Sequence, residues 1–172
     1  AFEAIRAANT GHLVLTSLHT NDSIGAFERL INMGIDPFSL GEVIAAVMGQ
    51  RLMRRLCPHC KEEYVFKPTD SQRKFYMLPE EPEEFRLFRP RGCAECNNTG
   101  YFGRIAVNEI LVVNRTLRDF VQRHAVRAKF EDYLRSQGFK TLYHDALDRV
   151  LSGVSSLEEL NRFASDTIAF RG

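Results

Sequence analysis

Three features that would assign a protein to a familiar class are missing from this sequence. No apolar run approaches the roughly 18 residues of a membrane-spanning helix, so no transmembrane segment is predicted. The charges are nearly balanced, with 23 Lys and Arg against 22 Asp and Glu. This balance gives no overall electrostatic case for binding nucleic acid. The phosphate-binding pattern Gly-x-x-x-x-Gly-Lys-Ser/Thr is also absent, since Phe139 separates Gly138 from Lys140 in the nearest approach to it.

Cysteine is scarce as well, but its spacing is informative. The four cysteines form two Cys-x-x-Cys pairs, Cys57 with Cys60 and Cys93 with Cys96. Two such turns supply the tetrahedral set of sulfur ligands that suits Zn²⁺, so we predict one zinc ion bound by all four. Two disulfides or reduced structural thiols are the alternative, and His59 in place of one cysteine is another. Since four cysteines leave no open position for water, the zinc is expected to be structural.

The segment between the two pairs, residues 61–92, has features of a loop. It contains several prolines, few aliphatic residues and an acidic run from Glu80 to Glu84, and it shows no obvious stripe of core residues. A metal that closes such a loop removes chain entropy that packing could not offset. We therefore expect the zinc to staple an excursion from a larger domain, with the acidic run in solvent. Paired cysteines with metal spacing also fit a reducing cytoplasm.

Hydrophobic periodicity predicts an α/β arrangement of buried strands and amphipathic helices. The apolar runs 12–18 and 105–113 are predicted as strands, and 50–56 is a strand or the end of a helix, with a strand favoured. Helices are predicted over residues 1–9, 22–34, 36–47, 116–123, 126–136 and 141–151, and again after a capping box that begins at Ser156. Because the first helical pattern starts at Ala1 without an initiator Met, we expect the chain to be part of a longer protein.

Two basic groups are candidates for contacts with a ligand. His19 ends the predicted strand 12–18 directly before a helix N-terminus, at the edge where α/β proteins bind ligands and where anions are favoured. A histidine that only caps the helix or lies at the edge of the core is the alternative. The cluster of Arg51, Arg54 and Arg55 is suited to phosphate or subunit contacts, or it forms a solvated face.

A series of motifs occurs in one order along the chain, at residues 10–15, 18–22, 33–38, 50–60, 93–104 and 155–160. They include Leu-His-Thr-Asn-Asp at 18–22 and Gln-Arg-Leu-Met-Arg-Arg-Leu-Cys-Pro-His-Cys at 50–60. Together they resemble the C-terminal half of bacterial secretion ATPases of the type II secretion and type IV pilus assembly group. The resemblance covers nearly the whole chain and is most specific in its first 111 residues.

The resemblance implies the C-terminal part of a RecA-like ATPase domain with a tetracysteine zinc-binding insertion and a C-terminal helical subdomain. The implied segments are the ATPase core at 1–56, the zinc module at 57–103, and a strand with the helical subdomain at 104–172. The full-length parent is expected to form a homohexamer that uses ATP and Mg²⁺. It would drive pilin or pseudopilin assembly with a platform protein of the inner membrane, on the cytoplasmic side and without nucleic acid.

The resemblance also assigns roles to single residues. His19 falls in the family's histidine box, which faces the nucleotide phosphates, so it becomes the candidate catalytic residue. Arg51 becomes a candidate for a nucleotide or interface contact. The four cysteines fall on the family's zinc motif, and because retraction ATPases of the same superfamily lack this insertion, the resemblance points to assembly or secretion. The family's Walker A and Walker B motifs lie before the part that this chain matches, so the chain alone is expected to be inactive.

A zinc-ribbon module that binds nucleic acid or a protein is the runner-up interpretation. A ribbon that binds nucleic acid would need basic and aromatic residues around its metal-binding turns. The acidic run within residues 61–92 instead favours a protein partner or a purely structural role.

Overall fold

The computed structural model describes residues 1–165. Its helices and strands in chain order are α1 (Phe2–Asn9), α2 (Ser23–Asn32), α3 (Pro37–Val43), β1 (Ala46–Leu56), β2 (Glu62–Phe66), α4 (Asp70–Tyr76), β3 (Phe85–Arg89), β4 (Tyr101–Val112), α5 (Arg115–Gln122), α6 (Arg127–Ser136), α7 (Leu142–Leu151) and α8 (Leu157–Ser165). Strand β1 pairs with β4, and β2 pairs with β3.

By packing, the chain divides into two compact units. The first unit consists of Ala1–Gly49 and Asn108–Thr141, and the second of Gln50–Val107 and Leu142–Gly172. Strands β1 and β4 each have residues in both units. The functional division at residues 56 and 103 stays a prediction, and residues 166–172 of its last segment lie outside the described residues.

In the first unit, local capping signals set where the helices begin, as predicted. The side chain of Asp22 caps α2 by accepting the N–H of Gly25, and that of Asp36 caps α3 by accepting the N–H of Ser39. Gly34 follows α2 with a φ of 87°, a conformation that glycine adopts without strain. Helix α3 is shorter than predicted, because residues 44–47 leave the helix and β1 begins at Ala46.

The predicted strand at residues 12–18 is wrong for this chain. Residues 12–20 have no regular secondary structure, and the side chains of Leu13 and Leu15 are 88% and 87% exposed. A strand forms only where a neighbouring strand satisfies its backbone N–H and C=O groups. Among residues 1–165 the strands pair only as β1 with β4 and β2 with β3, so the apolar run has no strand beside it. The other two predicted strands are confirmed as parts of β1 and β4.

In the second unit, the segment between the cysteine pairs contributes to the core, and the interpretation of 61–92 as a loop without core residues is wrong. Strands β2 and β3 form an antiparallel hairpin in which Glu62 lies opposite Arg89. Phe85 and Leu87 on β3 are 8% and 1% exposed and belong to the same apolar cluster as the buried residues of α7. The pattern was missed because a strand of this length presents only two inward positions. The acidic run is exposed as expected.

The start of α8 confirms half of the predicted capping box. The hydroxyl oxygen of Ser156 accepts the backbone N–H of Glu159 at 3.2 Å. The carboxylate of Glu159 turns to Arg54, accepting its backbone N–H at 3.0 Å and its Nε at 2.6 Å. Among residues 1–165, no helix is both long enough and apolar enough to cross a bilayer.

Candidate metal centre

The two cysteine pairs lie in tight turns whose backbone hydrogen bonds point the sulfurs inward. At the end of β1, the N–H groups of Cys60 and Lys61 both donate to the carbonyl of Cys57, at 3.4 and 3.0 Å. In the second pair, Cys93 precedes a short 3-10 helix at Ala94–Cys96 and Cys96 ends it, and the N–H of Cys96 donates to the carbonyl of Cys93 at 3.2 Å. Each turn therefore presents two thiols on one side.

The four sulfur atoms form a cage of the size that a metal requires. All four Sγ atoms lie within 4.8 Å of one another. The distance between Sγ atoms is 3.9 Å for Cys57 and Cys93, 3.8 Å for Cys60 and Cys96, and 3.7 Å for Cys93 and Cys96. A tetrahedron with Zn–S bonds of about 2.3 Å has edges of about 3.8 Å, so the donor set fits.

Two backbone N–H groups distinguish one thiol from the others. Burial raises the pKa of the Cys96 thiol, but the N–H groups of Cys93 and Gly100 donate to its sulfur at 3.3 and 3.2 Å. Together with the thiols of Cys93 and Cys60 they bring the pKa down to about 6. At Cys60, burial and the neighbouring sulfurs raise the pKa to about 11. A cation bound by all four sulfurs would replace the protons that the thiols otherwise hold, so metal affinity must rise with pH.

Gly100 links the two turns; the sequence placed it within the zinc module 57–103 but gave it no role of its own. Its carbonyl accepts the N–H of Cys57 at 2.9 Å, while its own N–H donates to Cys96. Its φ is 75°, and a Cβ at this position would lie 2.4 Å from Cβ of Pro90. Only glycine satisfies both conditions without displacement of the chain.

A second set of contacts ties the first cysteine turn to the segment between α7 and α8. The ammonium group of Lys61 donates to the carbonyl of Gly153 at 2.9 Å and lies 4.3 Å from the ring centre of Phe88. The N–H of Leu56 donates to the carbonyl of Val154 at 2.9 Å. The cage is therefore anchored to the helical part of the second unit as well as to the hairpin.

The other predicted site residues lie apart from the cage. His59 is exposed and does not belong to the cluster of donors found among the described residues. His19 is an exposed residue of the first unit, one residue before the end of the irregular stretch 12–20 that precedes α2. Arg51 is half-buried on β1 and lines an open cleft of about 320 Å³ in the second unit, together with Glu159 and Arg162.

Arg54 does not belong to a solvated basic face. Its guanidinium pairs with the buried carboxylate of Glu159 and lies 4.0 Å from the ring centre of Tyr101. Burial raises the pKa of Glu159, but hydrogen bonds from Arg54 and from Arg162 outweigh this effect and hold the pKa below its ordinary value. The sequence gives no signal for this pair, because its members are far apart along the chain. Arg55 is exposed, as the alternative interpretation held.

The structure is thus that of an α/β protein with a cage of four cysteines suited to a metal ion. Residues 1–162 match the model of the family described as Type II/IV secretion system protein, so the chain belongs to that family. It is 38% identical over 164 residues to the type II secretion system ATPase E of Vibrio cholerae, covering 95% of this chain and 32% of that protein. It is 40% identical over 157 residues to the type IV pilus assembly ATPase PilB of Thermus thermophilus, covering 91% of this chain and 18% of that protein.

The chain therefore spans about a third or less of the curated relatives that it matches. Among solved structures it is similar to the pilus retraction motor PilT with bound ADP, with a TM-score of 0.59 and 17% identity. That likeness covers 94% of this chain and 35% of PilT. Together with the family match, it confirms the predicted α/β fold class of the RecA-like type, here with four clustered cysteines that could hold a metal and a helical C-terminal part.

Proposed function

We propose that this chain is the C-terminal part of a hexameric ATPase that powers pilin or pseudopilin assembly, in type IV pilus biogenesis or in type II secretion. The observation that carries the proposal is the family match, which extends over residues 1–162. The names of the two relatives at 38% and 40% identity, a secretion ATPase and a pilus assembly ATPase, support it. The proposed partners are identical subunits and a platform protein of the inner membrane, with the ATPase peripheral to that membrane on the cytoplasmic side.

The metal held by Cys57, Cys60, Cys93 and Cys96 is Zn²⁺ in this proposal, one ion per chain. The separations of 3.7 to 3.9 Å between sulfurs support this choice, since they match the edge of a zinc–sulfur tetrahedron. With all four positions taken by protein ligands, zinc supplies no site for water or substrate. It fixes the two turns to each other and so closes the segment 61–92, in agreement with an assembly or secretion ATPase rather than a retraction ATPase.

ATP and Mg²⁺ are cofactors of the full-length protein in this proposal, and the chain alone is expected not to hydrolyse ATP. It contains no glycine-rich loop ending in Gly-Lys-Ser/Thr, which would bind the phosphates. His19 is proposed to act there by donating an imidazole N–H to the γ-phosphate or to the position it leaves, where the developing charge would be stabilised. Its exposure is compatible with such a contact. Arg51 is proposed to contact nucleotide or a neighbouring subunit.

ATP turnover by the full-length protein that contains this chain tests the proposal. Substitution His19→Ala should leave folding and zinc content nearly intact and lower turnover by about 10-fold or more, equivalent to about 1.4 kcal/mol of transition-state stabilisation. If His19 only caps the helix or packs at the edge of the core, the result would be the opposite, with a lower melting temperature and normal turnover. A well-folded variant with wild-type turnover would remove His19 from the site.

The alternative, a zinc-ribbon module that binds nucleic acid or a protein, has weaker support. The exposed run Glu80–Glu84 lies between the cysteine pairs, and its charge repels phosphate backbones. Titration with single-stranded and duplex nucleic acid at several salt concentrations distinguishes the two functions. Binding that is tight and depends steeply on salt would favour the module over the ATPase part.

A further inference from the structure

Two buried carboxylates accept hydrogen bonds from backbone N–H groups at the start of α2, directly after the segment that contains His19. Asp22 is 5% exposed, and its Oδ1 accepts the N–H of Gly25 at 2.7 Å. Glu109, on β4, is 2% exposed, and its Oε1 accepts the N–H of Ser23 at 2.6 Å. Negative charge at this end of a helix is favourable, and these N–H groups have no partner within the helix itself. The helix start is therefore fixed both by its own cap and by a residue of the sheet.

The sheet is shaped to admit Glu109 at this position. A Cβ on Gly49 of β1 would lie 2.8 Å from Cγ of Glu109 and 3.1 Å from its Oε1. Any other residue at position 49 would push the carboxylate away from Ser23. Gly49 therefore serves the contact between Glu109 and the start of α2, all within the first unit.

Arg127, the first residue of α6, joins the same network from a third element. One terminal nitrogen of its guanidinium donates to Oδ2 of Asp22, and the other lies 3.4 Å from a carboxylate oxygen of Glu28. Its Nε donates to Glu131 at 2.8 Å. Asp22 is thus held between the N–H of Gly25 and a guanidinium that is itself fixed by two further carboxylates. Such charge-assisted bonds fix the orientation of the Asp22 carboxylate more strictly than the hydrogen bond of a neutral capping side chain would.

From these contacts we infer that Glu109 and Arg127 are positioning residues for His19. Residues 12–20 have no regular secondary structure, so the place of His19 depends on the points where this stretch is attached. Its C-terminal attachment is Asp22 with Ser23, the two residues that Arg127 and Glu109 bind. Misplacing a group that stabilises a transition state by a fraction of its contact distance lowers the rate without weakening substrate binding. The inference rests on the proposed contact of His19 with the nucleotide phosphates.

The test uses the full-length ATPase and compares variants alone and combined with His19→Ala. Arg127→Met keeps an aliphatic stem at a side chain that is partly exposed. Glu109→Gln keeps an acceptor oxygen for Ser23, and Glu109→Leu removes it. The matched control is Arg118→Met, since Arg118 makes an ion pair with Glu42 in the same unit without touching Asp22 or Ser23.

Arg127→Met and Glu109→Leu should each lower kcat by about 5-fold or more with KM for ATP changed by less than about 2-fold, and Glu109→Gln should restore most of the loss. In the His19→Ala background the same substitutions should lower kcat by less than about 2-fold, because residues that act through one group are not additive. Arg118→Met should shift the melting temperature and leave kcat unchanged. Amide hydrogen exchange in residues 17–22 should quicken for Arg127→Met and stay unchanged for Arg118→Met.

Losses of kcat that multiply in full in the His19→Ala background would overturn the inference, because the network would then affect turnover by a route that does not involve His19. Wild-type turnover of the single His19→Ala variant would overturn the proposed function of His19, and the positioning role with it. These two results are distinguishable, since the first leaves the effect of His19→Ala in place. If Glu109→Leu does not fold, Arg127→Met and Glu109→Gln decide the outcome.

Discussion

Replacing Gly100 by alanine should weaken both the fold of the second unit and its hold on the metal. The added Cβ would lie 2.4 Å from Cβ of Pro90 and 2.9 Å from its Cα, inside normal contact distance. Overpacking of this kind costs about 1–3 kcal/mol, and alanine at a positive φ costs about 1–2 kcal/mol more. The chain must shift, and the shift moves the carbonyl that binds Cys57 and the N–H that binds Cys96.

Gly103→Ala is the matched control for this variant. Gly103 has a φ of 74°, nearly the 75° of Gly100, but a Cβ on it would meet nothing within 4 Å. The two variants therefore share the conformational cost, and their difference isolates the collision and its effect on the cage. We expect a free energy of unfolding lower by about 2–5 kcal/mol for Gly100→Ala and by about 1–2 kcal/mol for Gly103→Ala.

Urea unfolding of the zinc-loaded protein measures the stability, and competition with a chromogenic chelator measures the affinity for zinc. Loss of partners that orient metal ligands lowers affinity by about 10- to 100-fold, which is the effect expected for Gly100→Ala and not for Gly103→Ala. Equal stability and equal zinc affinity of the two variants would refute the role given to Gly100.

Two further predictions concern the second unit. Cys93→Ser should abolish stoichiometric zinc binding and quicken amide exchange in residues 61–92 before the rest of the unit opens, because zinc closes that segment; simultaneous opening of the whole unit would contradict this order. The folded pKa of Glu159 lies below its ordinary value of 4.5, so the stability this carboxylate adds is present above that value and is lost as the pH falls toward the folded pKa. Glu159→Gln should therefore make the free energy of unfolding fall less steeply as the pH is lowered into the acid range. Glu158→Gln, at an exposed position, should leave this pH dependence unchanged. An unchanged pH dependence in both variants would argue against the buried pair.

Local signals account for what was predictable from the sequence. The caps at Asp22, Asp36 and Ser156 lie within a few residues of the N–H groups they accept, so the helix starts were predicted to within a residue or two. The metal site was likewise predictable from the spacing of the cysteines, because a single tight turn is enough to bring the two sulfurs of each pair together. The family could be identified from motifs for the same reason.

Contacts between distant parts of the chain account for what was missed. The pair of Arg54 with Glu159 joins residues 105 positions apart, and the bond of Ser23 to Glu109 joins residues 86 positions apart, so neither leaves a local pattern. The apolar run at residues 12–18 has the composition of a buried strand, but composition cannot supply a neighbouring strand. On β3, the inward positions were too few for their alternation to be recognised.

The zinc content of the purified chain decides whether the four cysteines hold one structural zinc ion. Elemental analysis of protein prepared under reducing conditions, with thiols counted after denaturation in chelator, should give close to one zinc per chain and four reactive thiols for the four cysteines. Four intact, reduced cysteines with far less than one zinc, in protein never exposed to a chelator before the metal was measured, would show that the cage is not a zinc site.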